Sequence, residues 1–457
     1  MADNGALRQY VLLRQSDELR DIYAHGSIDA VWEHFSKVLD DPTIVARNSA
    51  GEITLVALPS RDWHFSQSTD QPVTDTVALA LAVTSDAAVQ DLHLSIARNG
   101  TGLIAGVGAD LAIDVAEHWC PGARPDVAFG TRTAALRKLG IGPGGLALPK
   151  GPTLTGKGVN VVIVDQGLNA SRIPEGHYGG VWENSGTKWA LLPYATTAPL
   201  SRHGDMVARN VRSIAPEATI FDCRLIPPAI AEVDQFVSDA HAAYATIAAN
   251  IAKAPSVGLP NGPWVFVNAW AVYDRRLEVP AGDYSDNPAH PFNAAIQALA
   301  ANGTADIVFA AGNCGQFCPH PRCGSNDRGP GHSIHGANAH PAVITAGAVR
   351  ADGMWIGYSS QGPGPAQMAH EKPDLCAPSQ FCEDDDAFVI NGGTSTACGL
   401  VAGVVAALRS NWSPQVLPPA ALKAALLANT KGSAAASWNP RFGHGILDAQ
   451  AALNALV

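Results

Sequence analysis

The chain has 457 residues, 47% of them hydrophobic and 16% charged, with a net charge of −11. That balance describes a globular protein with a large core and room for two domains. The acidic surplus excludes a broad basic face for phosphate backbones, so nucleic-acid binding is not expected.

No apolar run approaches the length of a membrane span, so no membrane partner is expected. The opening MADNGALRQYVLLRQSDELR lacks a basic-then-apolar signal order, so a cytoplasmic location is the default, with non-standard export as the other route. Residues 1 to 145 read as an α+β region. Strand-like pieces (YVLL, IVARNSAGEITLVAL, TVALALAV) alternate there with helical ones (SIDAVWEHFSKVLD, GADLAIDVAEHWC). The stretch 140–158, GIGPGGLALPKGPTLTGKG, has no periodicity and is rich in glycine and proline, so residues 146 to 158 are assigned as a linker.

Residues 159 to 457 are more regular. Apolar runs at 159–165, 218–226, 264–270, 306–312 and 342–349 read as buried strands. Amphipathic stretches between them read as helices, and two more follow, from Ser395 and over PPAALKAALLANT. Apolar strands alternating with helices predict an α/β domain with a parallel sheet flanked by helices. In such sheets the site lies beyond the carboxyl ends of the strands.

Polar residues stand at those ends. Asp165 closes VNVVIVD, His203 opens HGDMVARNV, Asn313 ends DIVFAAGN, and Ser395 lies in NGGTSTACGL at a helix start. Each alone has a plain structural reading: a turn-forming Asp or Asn, a packed His, a helix-capping Ser. Together they match a chemical requirement. A serine nucleophile needs a base, the base an orienting carboxylate, and the tetrahedral oxyanion fixed donors.

These stretches resemble the subtilases, the subtilisin-like serine proteases: VVIVDQG for the aspartate, HGDMVA for the histidine, FAAGN for the asparagine and GGTSTACGLVAGVVAAL for the serine. ITAGAVRADG, GYSSQGPG, KPDLCAPS and FGHGILDAQAAL strengthen the likeness, which runs over residues 155 to 457. It implies a subtilisin-like fold and a serine endopeptidase acting on polypeptides. Asp165, His203 and Ser395 would form the triad, and Asn313 the oxyanion hole. No cofactor is then required for catalysis, and a protein inhibitor is an expected partner. Two other readings use the same scaffold: a catalytically idle binder of a protein partner, and a serine hydrolase acting on esters.

The sequence departs from the family at Gln166, Asp205, Met206, Arg209 and Gly399. Asp205, two residues from the base, would raise the His203 pKa if their side chains met. The substrate-binding walls would be Asn268, Trp270 and Val272 on one side and Ala310, Ala311 and Gly312 on the other, with Val272 in a glycine position and a narrowed pocket expected. Cys314, Cys318 and Cys323, with His320 between them, are weak candidates for structural zinc, beside a disulfide or plain thiols. The run Glu383–Asp386 is a solvated loop or, less favoured, a calcium site. The N-terminal region is either a retained accessory domain, the preferred reading, or a prodomain that is cut away.

Overall fold

The computed structural model describes residues 7–14, 16, 18–19, 22, 28–57, 76–99, 102–109, 114–115, 128–185, 188–199, 201–226, 236–432 and 437–457. The N-terminal region forms β1 (Leu7–Arg14), α1 (Ile28–Leu39), α2 (Pro42–Ser49), β2 (Ile53–Ala57), β3 (Thr76–Val83), α3 (Asp86–Asn99) and β4 (Ile104–Ala109). Its strands pair antiparallel in the order β2-β3-β1-β4, the topology of a split β-α-β unit. Alternation along β1 divides its side chains between two cores. Val11 and Leu13 join Phe35 and Leu92 under the helices, whereas Tyr10 and Leu12 join Tyr284 and Phe292 of the main domain.

Two glycines in β4 make that second contact possible. A Cβ at Gly108 would lie 2.5 Å from His290 Nε2, and one at Gly106 would lie 2.9 Å from Pro291 Cγ. The sheet therefore rests almost backbone-on-side-chain against the main domain.

Local chemistry overrode two expectations in this region. Residues 44–50 were expected to be extended but lie largely in α2, because Asp41 accepts from Thr43 N at 2.8 Å and Pro42 suits the first helical turn. The helix expected over 108–120 is not found where residues are described: Gly108 and Ala109 end β4, and β5 (Asp114–Val115) is a strand. The rest of that stretch lies outside the described residues.

The expected linker is not a free tether. From Phe129 onward the chain joins the main domain, first through α4 (Arg132–Lys138). Ala135, Leu139, Ile141, Leu146 and Leu154 are all buried in its larger core. The glycines serve turns here, and the apolar residues between them provide the anchorage, so residues 129–158 pack as part of the main domain.

The main domain continues with β6 (Asn160–Asp165), β7 (Tyr178–Asn184), β8 (Trp189–Leu192), α5 (His203–Arg212), β9 (Thr219–Arg224), α6 (Phe236–Ala252), β10 (Trp264–Asn268), β11 (Trp270–Ala271), α7 (Pro291–Ala301), β12 (Asp306–Ala310) and β13 (Ile344–Val349). It ends with β14 (Leu375–Pro378), β15 (Phe381–Cys382), β16 (Ile390–Asn391), α8 (Gly393–Arg409), α9 (Pro419–Ala428), β17 (Thr430–Lys431), β18 (Ile446–Leu447) and α10 (Ala449–Leu456). Ten strands form one sheet, ordered β17-β18-β14-β13-β12-β10-β6-β9-β7-β8, parallel except at its two edge strands.

Side-chain alternation explains why both faces are covered. Val161, Ile163, Val265 and Val308 point into the core beneath α5 and α8, whereas Val162, Val164, Phe266 and Phe309 point toward α6 and α7. The α/β architecture expected from the apolar runs is the one found. Helix α8, buried along its whole length, ends in an ion pair within the interior, Arg409 Nη2 to Asp306 Oδ1 at 2.7 Å.

Candidate active site

The chain runs from β6 out to β9 and β7, then returns to lay β10, β12, β13 and β14 on the other side of β6. The crevice between the ends of β6 and β10 is thus the topological switch point, where such sheets accommodate ligands. Asp165 is the last residue of β6, and Asn268 the last of β10.

Glycines set how closely the helices at this crevice approach. A Cβ at Gly399 would lie 3.0 Å from Asn210 Cβ, and one at Gly403 would lie 2.8 Å from the Val211 carbonyl, so α8 and α5 pack nearly backbone to backbone. A Cβ at Gly204 would sit 2.3 Å from the Gly167 carbonyl, so the start of α5 can lie against the turn after Asp165 only with glycine there. That packing brings His203, the first residue of α5, between Asp165 and Ser395.

His203 Nδ1 lies 2.8 Å from both oxygens of Asp165, and Nε2 lies 3.0 Å from Ser395 Oγ. With the Nδ1 proton held by Asp165, Nε2 is left as an acceptor for the serine hydroxyl. Asp165 and Ser395 are fully buried and His203 nearly so. Ser395 does not cap α8: its hydroxyl faces His203, with the Ala269 carbonyl 3.3 Å away.

Asn313 stands beside them. Its Oδ1 accepts from Thr394 N and Thr394 Oγ1, both at 3.0 Å, and its Nδ2 donates to the Tyr273 hydroxyl at 3.2 Å. The amide orientation is therefore fixed from one side, with the N–H face turned toward the buried Tyr273.

The six expected wall residues divide into two groups. The Asn268 side chain accepts from the Tyr244 hydroxyl and from Trp270 Nε1 at 3.2 Å, so it braces the interior. The Trp270 and Val272 side chains also lie in the core under α6 and α7, and Val272 narrows nothing from there. What remains at the cleft is backbone. Trp270 and Ala271 form β11, and Gly312 lies opposite, where a Cβ would come within 3.1 Å of Ala271 Cβ. Ala310 and Ala311 are buried behind Gly312. Strand β11 already has a partner: β5 pairs with it antiparallel, Val115 opposite Trp270 and Asp114 opposite Ala271. Sequence reading missed this contact, which only the fold reveals.

Residues 156–445 match the Subtilase family. The chain belongs to the subtilase family. One relative is the subtilisin-like protease SBT4.12 of Arabidopsis thaliana, 34% identical over 114 residues, which make up 21% of this subtilase and 16% of that protein. Among solved structures, fervidolysin of Fervidobacterium pennivorans, a keratinolytic enzyme related to subtilisin, aligns with a TM-score of 0.55 at 15% identity. The alignment covers 99% of this chain and 62% of that one, and it shows the shared fold. MycP1 of Mycobacterium smegmatis aligns at 19% identity over 75% of this chain and 89% of that one, with a TM-score of 0.46.

Around the site the subtilase departs from three expectations. Asp205 turns away from the histidine: it accepts from Asn169 N at 2.7 Å and pairs with Arg172 at 3.3 Å. The zinc reading of the cysteine cluster fails, because Cys314 and Cys323 form a disulfide and so offer no thiolates. That bridge closes the loop directly after Asn313, whose carbonyl accepts from His320 N at 2.9 Å. It clusters with Ala271 and Tyr273, so it stiffens the Asn313 side of the cleft. The acidic run is tied down rather than solvated at its start. Glu383 bridges Arg132 and Arg209, each at 2.6 Å, and Asp384 accepts from Thr133 N at 3.1 Å in the first turn of α4. The two arginines hold the Glu383 carboxyl down at about 2 despite its burial. Among the described residues no group of His, Cys, Asp or Glu is arranged to hold a metal ion, and no helix is long and apolar enough to cross a membrane.

Proposed function

We propose that this subtilase hydrolyses peptide bonds through Asp165, His203 and Ser395, with Asn313 in the oxyanion hole. The observation that carries this reading is the unbroken relay from Asp165 through His203 to the Ser395 hydroxyl, at 2.8 Å and 3.0 Å. His203 Nε2 takes the hydroxyl proton as Oγ attacks the scissile carbonyl. Asp165, buried and bonded to Nδ1, stabilises the imidazolium that results. The same proton is then passed to the leaving amine, and water repeats the sequence on the acyl-enzyme. Charge on the tetrahedral oxygen is met by Asn313 Nδ2, which would release Tyr273, and by the Ser395 amide in the first turn of α8, near the positive end of the helix dipole.

A fluorophosphonate tests this against an idle scaffold. It should add covalently to Ser395, as read by peptide mass mapping. Intact, folded protein that acquires no adduct there would overturn the proposal. Comparing turnover of matched peptide and ester substrates then separates an endopeptidase from an esterase.

The N-terminal domain supports a second element of the reading. β5 adds to β11 as an extended peptide adds to an exposed sheet edge. Residues 114–115 thus stand where a substrate backbone would pair, and the domain restrains the enzyme while it stays attached. Retention on the main domain agrees with the shared core around Tyr10, Tyr284 and Phe292. Wild-type and Ser395→Ala protein incubated side by side should both keep their intact mass. Loss of the N-terminal domain from the wild type alone would make it a self-removed prodomain. The cut would then fall between Val115 and Phe129, since residues 129–158 are built into the catalytic core.

A further inference from the structure

A cavity of about 510 Å³ opens behind the catalytic histidine, on the far side of α5 from Ser395. Arg132, Arg172, Arg209 and Arg212 line it together with Asp205 and Ser213. Four guanidiniums converge on this space, and three carboxylates answer them: Glu383 on Arg132 and Arg209, Asp205 on Arg172, and Asp384, held on Thr133 N beside Arg132. The site therefore keeps a surplus of positive charge in a chain that is acidic overall.

Two of the guanidiniums are also short of acceptors. Arg132 spends Nε and Nη2 on Glu383, Asn210 and Asn391, but its Nη1 is buried with no hydrogen-bond partner among the described residues. Arg212 Nε is buried and unpartnered in the same way. Orphaned charged donors in a protein interior are costly, so an anion beside them offsets part of that cost.

We propose that this cavity binds a phosphate-class oxyanion, held between the guanidiniums of Arg172 and Arg212, with Arg132 and Arg209 adding positive charge to its walls. Guanidinium forks match the tetrahedral oxygens of phosphate, and several on one ligand give both affinity and orientation. The C-terminal end of α5 repels an anion by its own dipole, so the arginines supply the attraction and not the helix. The walls explain why occupancy would matter. His203 is the first residue of the helix that carries Arg209 and Arg212, and Asp205 anchors the Asn169 amide four residues after Asp165. A ligand bridging Arg172 and Arg212 would clamp the histidine helix to the aspartate loop.

Thermal melting of full-length Ser395→Ala protein tests the proposal, with ionic strength held constant by chloride. Inorganic phosphate should raise Tm by about 3 °C at roughly tenfold over its Kd, and further in proportion to the logarithm of its concentration. A small phosphomonoester titrated in parallel identifies the source: tighter binding than inorganic phosphate points to an ester-bearing ligand, and equal binding to the free ion. Arg212→Gln with Arg172→Gln should abolish the shift; the unliganded Tm should fall only modestly, because Asp205 loses Arg172 but keeps the Asn169 amide, and Arg132 and Arg209 still neutralise Glu383. Should the double variant fold poorly, the half-exposed Arg172→Gln alone should weaken phosphate binding about tenfold. A shift that chloride reproduces, that survives in the double variant, or that neither phosphate compound produces would overturn the assignment.

Discussion

Ser395→Ala and His203→Ala should each lower kcat for a quenched-fluorescent peptide by about 10⁶, the loss known for the equivalent groups of subtilisin, a relative in this family. The two residues act as one unit, so the double variant should be scarcely worse than either single one. Folding should be unaffected in both, because Ser395 contributes one hydroxyl to the packing of α8 and His203 sits at a helix start. The comparison needs matched circular dichroism and Tm. A folded variant with more than a small fraction of wild-type turnover would remove its residue from the triad.

Asn313→Ala should lower kcat by about 10²–10³ with KM nearly constant, again the size of effect measured for one oxyanion-hole donor in subtilisin, worth about 2.7–4 kcal/mol. The reason lies in how the amide is held. Thr394 takes the Oδ1 side with two hydrogen bonds at 3.0 Å, so the amide plane is set before substrate arrives and Nδ2 need only exchange the Tyr273 hydroxyl for the oxyanion. Preorganised donors act on the charge that develops during attack and only weakly on the ground state. A loss confined to KM would place Asn313 in substrate binding instead.

Much of the fold was legible because burial on both faces writes itself as continuous apolar runs: Val159–Asp165, Trp264–Trp270 and Asp306–Gly312 each became a central strand or its exit. The polar residues closing those runs were legible for the same reason, since a charged or amide side chain after a buried strand stands out. Strands toward the edge of the sheet were harder to read. β7 carries a register shift between Tyr178 and Gly180, which breaks the period-two signal. Where the wall side chains point could not be read, because it is set by the fold and not by their spacing. Asn268, Trp270 and Val272 look functional by position, yet their side chains serve the interior. The direction of Asp205 was equally hidden, since it depends on Arg172 and Asn169, both some thirty residues away along the chain.

The pairing of β5 with β11 also changes how the enzyme would respond to concentration. A strand supplied by the same polypeptide competes with substrate at a fixed local concentration, on the order of millimolar for a short tether. Diluting the protein leaves that value unchanged, and so does adding more of it. Substrate present at micromolar levels would be outnumbered at the cleft by roughly a thousandfold. The intact chain would thus behave as a slow enzyme with a high apparent KM. Its full rate would appear only when β5 is peeled away, in a step that depends on each molecule alone.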